Sequence, residues 1–170
     1  MSFGVLLFVV SLSTLVLGDA NHKFKVTKLE IENVKNEYFG EWKGKYENGK
    51  DAGKYSFDFP VDKEIPEDAM MVTVLIEMPG QDPVEKTVSF AEGLEDKTLG
   101  ESFVQTVSPK GTISTKWPLP TGSYSAQNWS PPMTSVPTGV EGPVRVTGSI
   151  GLDGQDPFIK VVTELELRYQ

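Results

Sequence analysis

The feature that most constrains this chain is an alternation of apolar and polar residues with a period of two. It is clearest in residues 70–78 (MMVTVLIEM), which present one wholly apolar face made of Met70, Val72, Val74, Ile76 and Met78. Successive side chains of a β-strand point to opposite faces of the sheet, so this period predicts a strand and not a helix. We expect residues 70–78 to form a central strand whose apolar face is turned to the interior.

Turn signals between alternating runs predict two hairpins. Asn48-Gly49 lies between the runs 38–46 and 55–59, and Asn-Gly in such a position is the strongest short-range hairpin signal. A second turn, DGQDP, separates the last two predicted strands, 144–152 and 158–169. Both turns are polar and contain glycine, and the second also contains Pro157; such a composition is typical of hairpin connections.

Four further runs are predicted to be strands. Residues 24–34 alternate, but the phase of the alternation changes after Val26, which is typical of a β-bulge or of a strand that passes between two sheets. The other three predicted strands are 84–90, 110–116 and 124–129.

One segment departs from the period of two and predicts a short helix. Leu99, Phe103 and Val107 recur at every fourth position, which is a helical spacing. Thr98 and Glu101 match a capping box, in which each side chain accepts a hydrogen bond from a backbone N–H at the start of the helix. The chain is therefore expected to be all-β: an antiparallel β-sandwich of seven to eight strands with one short helix.

The N-terminal segment predicts secretion. Residues 1–18 contain an uncharged apolar run followed by small residues, and that run is too short for a comfortable membrane span. We interpret it as a signal peptide, with cleavage after Gly18 or after Ala20; an uncleaved anchor is the alternative. Residues 19–170 would then be one secreted domain without a stable membrane anchor, and we expect a monomer.

Composition argues against several classes of function. A net charge of −8 disfavours nucleic acid and anionic membranes as partners. The chain has no cysteine and one histidine, His22, which argues against thiol catalysis, a structural zinc site and a Ser-His-Asp triad. Paired carboxylates stay open in principle. We expect no enzymatic activity, no metal and no cofactor.

Residues 116–132 (KWPLPTGSYSAQNWSPP) hold two tryptophans and four prolines in seventeen residues. They predict either a packed corner of the sandwich or the mouth of a binding site. Asn128-Trp129-Ser130 is an N-glycosylation sequon, and Pro131 directly after it disfavours modification.

Several short motifs carry a resemblance to a known family. Leu119–Tyr124 (LPTGSY), VPTG at 136–139, VRVTG at 144–148 and SPKG at 108–111 resemble the C-terminal half of the GM2-activator-like and MD-2-related secreted lipid-recognition proteins, and most closely their insect, chemosensory-type branch. In SPKG a serine stands where those proteins have a cysteine. The resemblance covers about residues 84–170 and implies a β-cup whose sheets hold a lipid between them.

Together these observations predict a secreted, non-enzymatic carrier or presenter of a lipid or another small hydrophobic ligand, with a receptor or an enzyme as a possible further partner. The side chains expected to bind the ligand are Trp42, Phe57, Phe59, Met70, Val72, Val74, Ile76, Met78, Phe90, Phe103 and Phe158, with Trp117, Trp129 and Met133 at the mouth. Burial of a sixteen-carbon chain would contribute on the order of 10 kcal/mol before binding entropy is subtracted.

Two alternatives to the carrier remain. A filled sandwich whose Pro- and Trp-rich loops contact a receptor, an enzyme or matrix would have no ligand-sized void. A cavity below about 300 Å³ would favour that interaction module. A carbohydrate binder, with Trp117 and Trp129 stacked on sugar rings, is the other alternative.

Overall fold

The computed structural model describes residues 22–97, 99–110, 113, 117–132 and 140–169. The predicted signal peptide, the Thr98 cap, the VPTG motif and Met133 lie outside the described residues. The described part is an antiparallel β-sandwich with a five-stranded and a four-stranded sheet, which confirms the predicted fold class.

Nine strands and two helices are present in the described residues. In chain order they are β1 (His22–Asn33), β2 (Lys43–Asn48), β3 (Gly53–Val61), β4 (Met70–Glu77), β5 (Val84–Ser89), α1 (Phe90–Glu95), α2 (Leu99–Val104), β6 (Val107–Ser108), β7 (Gly122–Trp129), β8 (Gly142–Leu152) and β9 (Ile159–Tyr169). The first sheet has the order β1-β9-β8-β4-β5 and the second the order β2-β3-β7-β6.

Both predicted hairpins and the predicted bulge are confirmed. In the first hairpin Tyr46 pairs with Tyr55 and Asn48 with the first residue of β3. In the second, Ile150 pairs with Ile159. The register of β1 against β9 shifts directly after Val26, where the alternation changes phase. The apolar strand β4 is an inner strand between β8 and β5, also as predicted.

The structure describes only Lys110 and Ile113 of the predicted strand at 110–116, and both lie outside strands. A strand that the sequence did not predict, β6, lies just before this segment; in it Val107 pairs with Ala126 of β7 and is buried. Pairing with β7 therefore outweighs the helical spacing that had assigned Val107 to a helix.

The prediction of one short helix is wrong, because two helices of six residues each follow β5. Ser89 and Glu92 form a complete capping box that begins α1. The Asp96 carboxylate, directly after α1, accepts a hydrogen bond from the Leu99 backbone N–H at 2.7 Å. Asp96 therefore separates the two helices and caps the second.

Two asparagine side chains join the sheets along one edge of the sandwich. Asn48 of β2 accepts a hydrogen bond from the Val26 N–H and donates one to the Val26 carbonyl, both at 2.8 Å. Asn33 of β1 makes the equivalent pair with the Trp42 backbone, at 2.8 and 3.1 Å. Each amide satisfies two backbone groups that an edge strand would otherwise leave unpaired.

Glycines let the sheets approach closely at this joined edge. A β-carbon at Gly44 would stand 2.6 Å from the Ile31 side chain, and one at Gly53 would stand 2.5 Å from the Val26 side chain. Larger residues would force β1 away from β2 and β3. We call this side, where β1 meets β2 and β3, the closed edge.

The opposite edge of the sandwich is covered by the helices. Helix α1 contacts β4 and β5 of the first sheet, α2 contacts β7 of the second, and the two helices contact each other. The sheets are thus bridged through α1 and α2 and do not meet directly here. We call this side the helix-covered edge.

The LPTGSY motif forms a packed corner. The Leu119 side chain is buried, and its backbone exchanges two hydrogen bonds of 3.0 Å with Ile65. The Tyr124 hydroxyl donates to the Pro120 carbonyl at 2.9 Å. This half of the Trp- and Pro-rich segment is therefore part of the sandwich framework.

Candidate ligand-binding cavity

A cavity of about 250 Å³ lies at the helix-covered edge. It receives side chains from both sheets and from both helices. The lining residues are Val72, Val74, Lys86, Val88, Phe90, Glu92, Gly93, Leu94, Asp96, Leu99, Gly100, Phe103, Trp129 and Ile150. Most of the lining is apolar, and many of these side chains are only half-buried.

The floor of the cavity consists of two cross-strand rows. Val88, Val72 and Ile150 are direct partners across β5, β4 and β8. Lys86 and Val74 form the next row. Residues directly opposite each other in antiparallel strands point to the same face. The period of two in β4 therefore delivers two valines to this floor.

The two carboxylates in the lining are used to begin the helices. The Glu92 carboxylate accepts a hydrogen bond from the Ser89 N–H at 3.1 Å, while the Ser89 hydroxyl accepts one from the Glu92 N–H at 3.1 Å. Asp96 binds the N–H of Leu99 in the same way. Because each carboxylate caps a helix, recognition by this cavity depends mainly on its apolar surface.

The two helices pack through glycines. A β-carbon at Gly100 would overlap the carbonyl oxygen of Gly93 and would stand 2.6 Å from that of Leu94. Gly100 is buried, and all three residues line the cavity. The contact brings α2 onto the backbone of α1 and closes this wall.

An aromatic group forms the wall nearest the second sheet. The Phe103 ring meets the Trp129 indole edge-on at 5.4 Å between centroids and lies 5.9 Å from Phe59. The Trp129 indole N–H donates to the Ser102 hydroxyl at 3.1 Å. These contacts connect α2 to β7 and orient the indole.

Five of the predicted ligand-binding residues line this cavity: Val72, Val74, Phe90, Phe103 and Trp129. The other predicted residues that the structure describes pack in the core around it. Those buried in the core are Trp42, Phe57, Phe59, Met70 and Phe158, and those half-buried against it are Ile76, Met78 and Trp117.

Trp117 and Asn128 lie beside the cavity. Trp117 packs edge-on against Phe90, with ring centroids 6.1 Å apart. It therefore contacts a lining residue without lining the cavity itself. Asn128 is exposed near the end of β7, next to Trp129. Glycosylation of Asn128 stays a prediction.

Sequence reasoning missed most of the helical lining. Glu92, Gly93, Leu94, Asp96 and Gly100 line the cavity but are not among the residues that the sequence predicts to bind a ligand. One available signal was the Ser89-x-x-Glu92 spacing, which matches a capping box and predicts a helix directly after β5. The contact between the two helices, by contrast, is not indicated by any pattern of neighbouring residues in the sequence.

Several polar groups within the sandwich are not part of the cavity lining. The Tyr55 and Thr163 hydroxyls form a hydrogen bond of 2.9 Å between the two sheets. Burial raises the pKa of Tyr55, and the bond to Thr163 opposes part of that increase. The buried indole N–H groups of Trp42 and Trp117 have no hydrogen-bond partner among the described residues.

Within the described ranges, no group of three or more His, Cys, Asp or Glu side chains is arranged to hold a metal ion. In the same residues neither helix has the length and apolar character needed to cross a bilayer. No protein-family model matches the chain, and a comparison with curated proteins finds no significant match. The resemblance to the lipid-recognition proteins stays a prediction.

Proposed function

We propose that this protein is a secreted, non-enzymatic carrier or presenter that binds one compact, uncharged apolar molecule at the helix-covered edge. The observation that carries the proposal is the largely apolar cavity of about 250 Å³ between the floor of β4, β5 and β8 and the two helices. Small-molecule sites are usually concave and mostly apolar, with few polar groups. The largely apolar lining supports an uncharged ligand, and the engagement of Glu92 and Asp96 in helix caps argues against a cation.

The volume of the cavity limits the size of the ligand. A dry apolar cavity of about 150 Å³ accommodates benzene, which corresponds to roughly 25 Å³ per carbon. On that scale about ten carbons fit into the 250 Å³ of this cavity. The sixteen-carbon chain considered above is too large to be enclosed here. The proposal is therefore narrower than the sequence-based expectation of a long lipid.

The expected affinity is weak. Burial of about ten methylene-sized groups contributes roughly 8 kcal/mol, from which at least about 4 kcal/mol is subtracted for lost freedom on association. At most about 4 kcal/mol remains, which corresponds to a dissociation constant of about 1 mM or weaker. Binding assays should therefore extend to millimolar ligand.

The interaction module is the second candidate, because a volume of 250 Å³ lies below the 300 Å³ criterion. The positions of the tryptophans favour the carrier instead, since Trp117 and Trp129 are half-buried and not freely exposed. Among the described residues, the exposed large hydrophobic side chains are Val34, Tyr46 and Leu99, so neither tryptophan belongs to this exposed set.

The two candidates are separated by displacement of a fluorescent probe that matches the ten-carbon estimate, 1-naphthylamine, with ten-carbon alcohols and hydrocarbons. Val74→Phe adds a ring to the cavity floor and should weaken displacement at least tenfold. Thr73→Phe, its matched control, adds the same ring to the opposite face of β4, where Thr73 is bonded to Thr87, and should leave binding unchanged. No saturable displacement from the unmodified protein would refute the carrier and leave the interaction module.

A further inference from the structure

Helix α2 forms one wall of the cavity and therefore affects which ligands fit in it. We propose that α2, through the Gly100 contact and the Phe103 ring, sets the upper limit on the length of ligand that the cavity accepts. This inference rests on the proposed function, because it concerns the specificity of the same site. It assigns to Gly100 a positioning role and to Phe103 a direct contact with the ligand.

The other walls are held by extensive hydrogen bonding. Strands β4, β5 and β8 are continuous antiparallel neighbours, and Trp129 belongs to β7, which pairs along β3. The distance between the sheets is set at the closed edge by Asn48 and Asn33. Helices α1 and α2 have six residues each and are joined to this frame through caps and side-chain packing. A change in cavity size is therefore easiest at the helices.

Gly100 determines how close α2 lies to α1. The atoms that a β-carbon there would meet are the backbone carbonyl oxygens of Gly93 and Leu94, which have no rotamer by which to withdraw. Roughly 1 Å of displacement is needed to restore an ordinary van der Waals contact. Gly100→Ala must then move α2 outward, and the cavity behind it becomes longer.

Phe103 fills the space behind this contact. Its ring lines the cavity beside Trp129 and packs against Phe59 behind it. Truncation to alanine removes a phenyl group, which frees at most about the 150 Å³ that accommodates benzene. Partial collapse of the neighbouring rings will take back some of this space. At roughly 25 Å³ per carbon, the accepted chain should lengthen by about three to six carbons.

The test is the chain-length profile of binding, measured by displacement of 1-naphthylamine with n-alkanols of about six to sixteen carbons, a range that extends to both sides of the ten-carbon estimate. The profile of the unmodified protein should peak near ten carbons. Gly100→Ala should move the peak to chains longer by about one or two carbons, and Phe103→Ala by about three to six.

Gly122→Ala is the matched control. It makes the same change at the exposed first residue of β7, which does not line the cavity. The nearest contact of its β-carbon is the Tyr124 side chain, at an ordinary 3.5 Å. The Gly122→Ala profile should therefore peak at the same length as that of the unmodified protein.

The possible results distinguish this inference from the function beneath it. If the unmodified protein binds no alkanol, the proposed function fails. If it binds, but Gly100→Ala and Phe103→Ala peak at its own chain length, the function stands and the role of α2 is refuted. Uniform weakening at every length also refutes that role, because it indicates general destabilisation. Should Gly100→Ala fail to fold, the Phe103→Ala profile decides.

Discussion

The closed edge gives the sharpest test of how this sandwich is held together, through the substitution Asn48→Ala. The Asn48 amide makes two hydrogen bonds of 2.8 Å to the N–H and carbonyl of Val26, a residue that is only 2% exposed. These bonds connect residues of different sheets and have no substitute in the strand ladders. The substitution removes both bonds and leaves both backbone groups of Val26 without a protein partner.

The expected loss of stability follows from those two bonds. Each intramolecular hydrogen bond contributes about 0.5–1.5 kcal/mol, and a buried polar group left unpaired costs about 1–3 kcal/mol. Because Val26 lies in an edge strand, water that enters the space of the lost amide will satisfy part of its backbone. We expect the free energy of unfolding to fall by about 2 kcal/mol, with about 4 kcal/mol as an upper bound.

Urea unfolding followed by tryptophan fluorescence measures this loss. With a slope near 2 kcal/mol per molar urea, the midpoint should fall by about 1 M. Glu47→Ala, on the neighbouring exposed position of β2, is the control and should change stability by no more than about 0.5 kcal/mol. Asn48→Asp keeps an acceptor for the Val26 N–H, but it places a carboxylate oxygen against the Val26 carbonyl oxygen, where the amide had a donor. It should therefore lower the free energy of unfolding by at least as much as Asn48→Ala does. An Asn48→Ala midpoint equal to that of Glu47→Ala would refute the reasoning.

Two further predictions concern buried and capping groups. Burial raises the pKa of Tyr55 above the ordinary value for tyrosine, about 10. The contribution of Tyr55 to stability is therefore complete below about pH 10 and is lost as the pH rises through the folded pKa. In urea titrations across that range, Tyr55→Phe should lose up to about 1.4 kcal/mol less stability per pH unit than the unmodified protein. Parallel curves for the two proteins would contradict this. Ser89→Ala removes the capping box of α1 and should lower the free energy of unfolding by about 1 kcal/mol in the same assay. Because α1 lines the cavity, probe binding should also weaken. Unchanged stability would show that the cap is dispensable.

Local patterns predicted most of the strands correctly. The alternation in β4 and β9, the Asn48-Gly49 turn and the phase change after Val26 all depend on residues close together in the chain. Such patterns report the backbone conformation and the face that each side chain occupies. They also identified the two β4 valines in the cavity floor, because an apolar face on an inner strand must point into the sandwich.

Contacts between distant segments account for the errors. Val107 has the spacing of a helical residue, yet it pairs with Ala126 in β6. Trp42 and Phe59 have the character of ligand-binding aromatics, but they pack against each other in the core, with ring centroids 5.3 Å apart. In each case the deciding partner lies on a segment whose position no local pattern specifies.

The sequence by itself determined that this chain forms an antiparallel sandwich and which side chains of β4 face inward, because strand periodicity and turn chemistry are local properties. Only the tertiary structure decided where the sheets meet and where they leave a hollow. The separation of the sheets depends on contacts such as Asn48 with Val26, 22 residues apart, and Gly44 with Ile31. These close one edge, while the helix pair covers the other and leaves a cavity sized for a compact ligand.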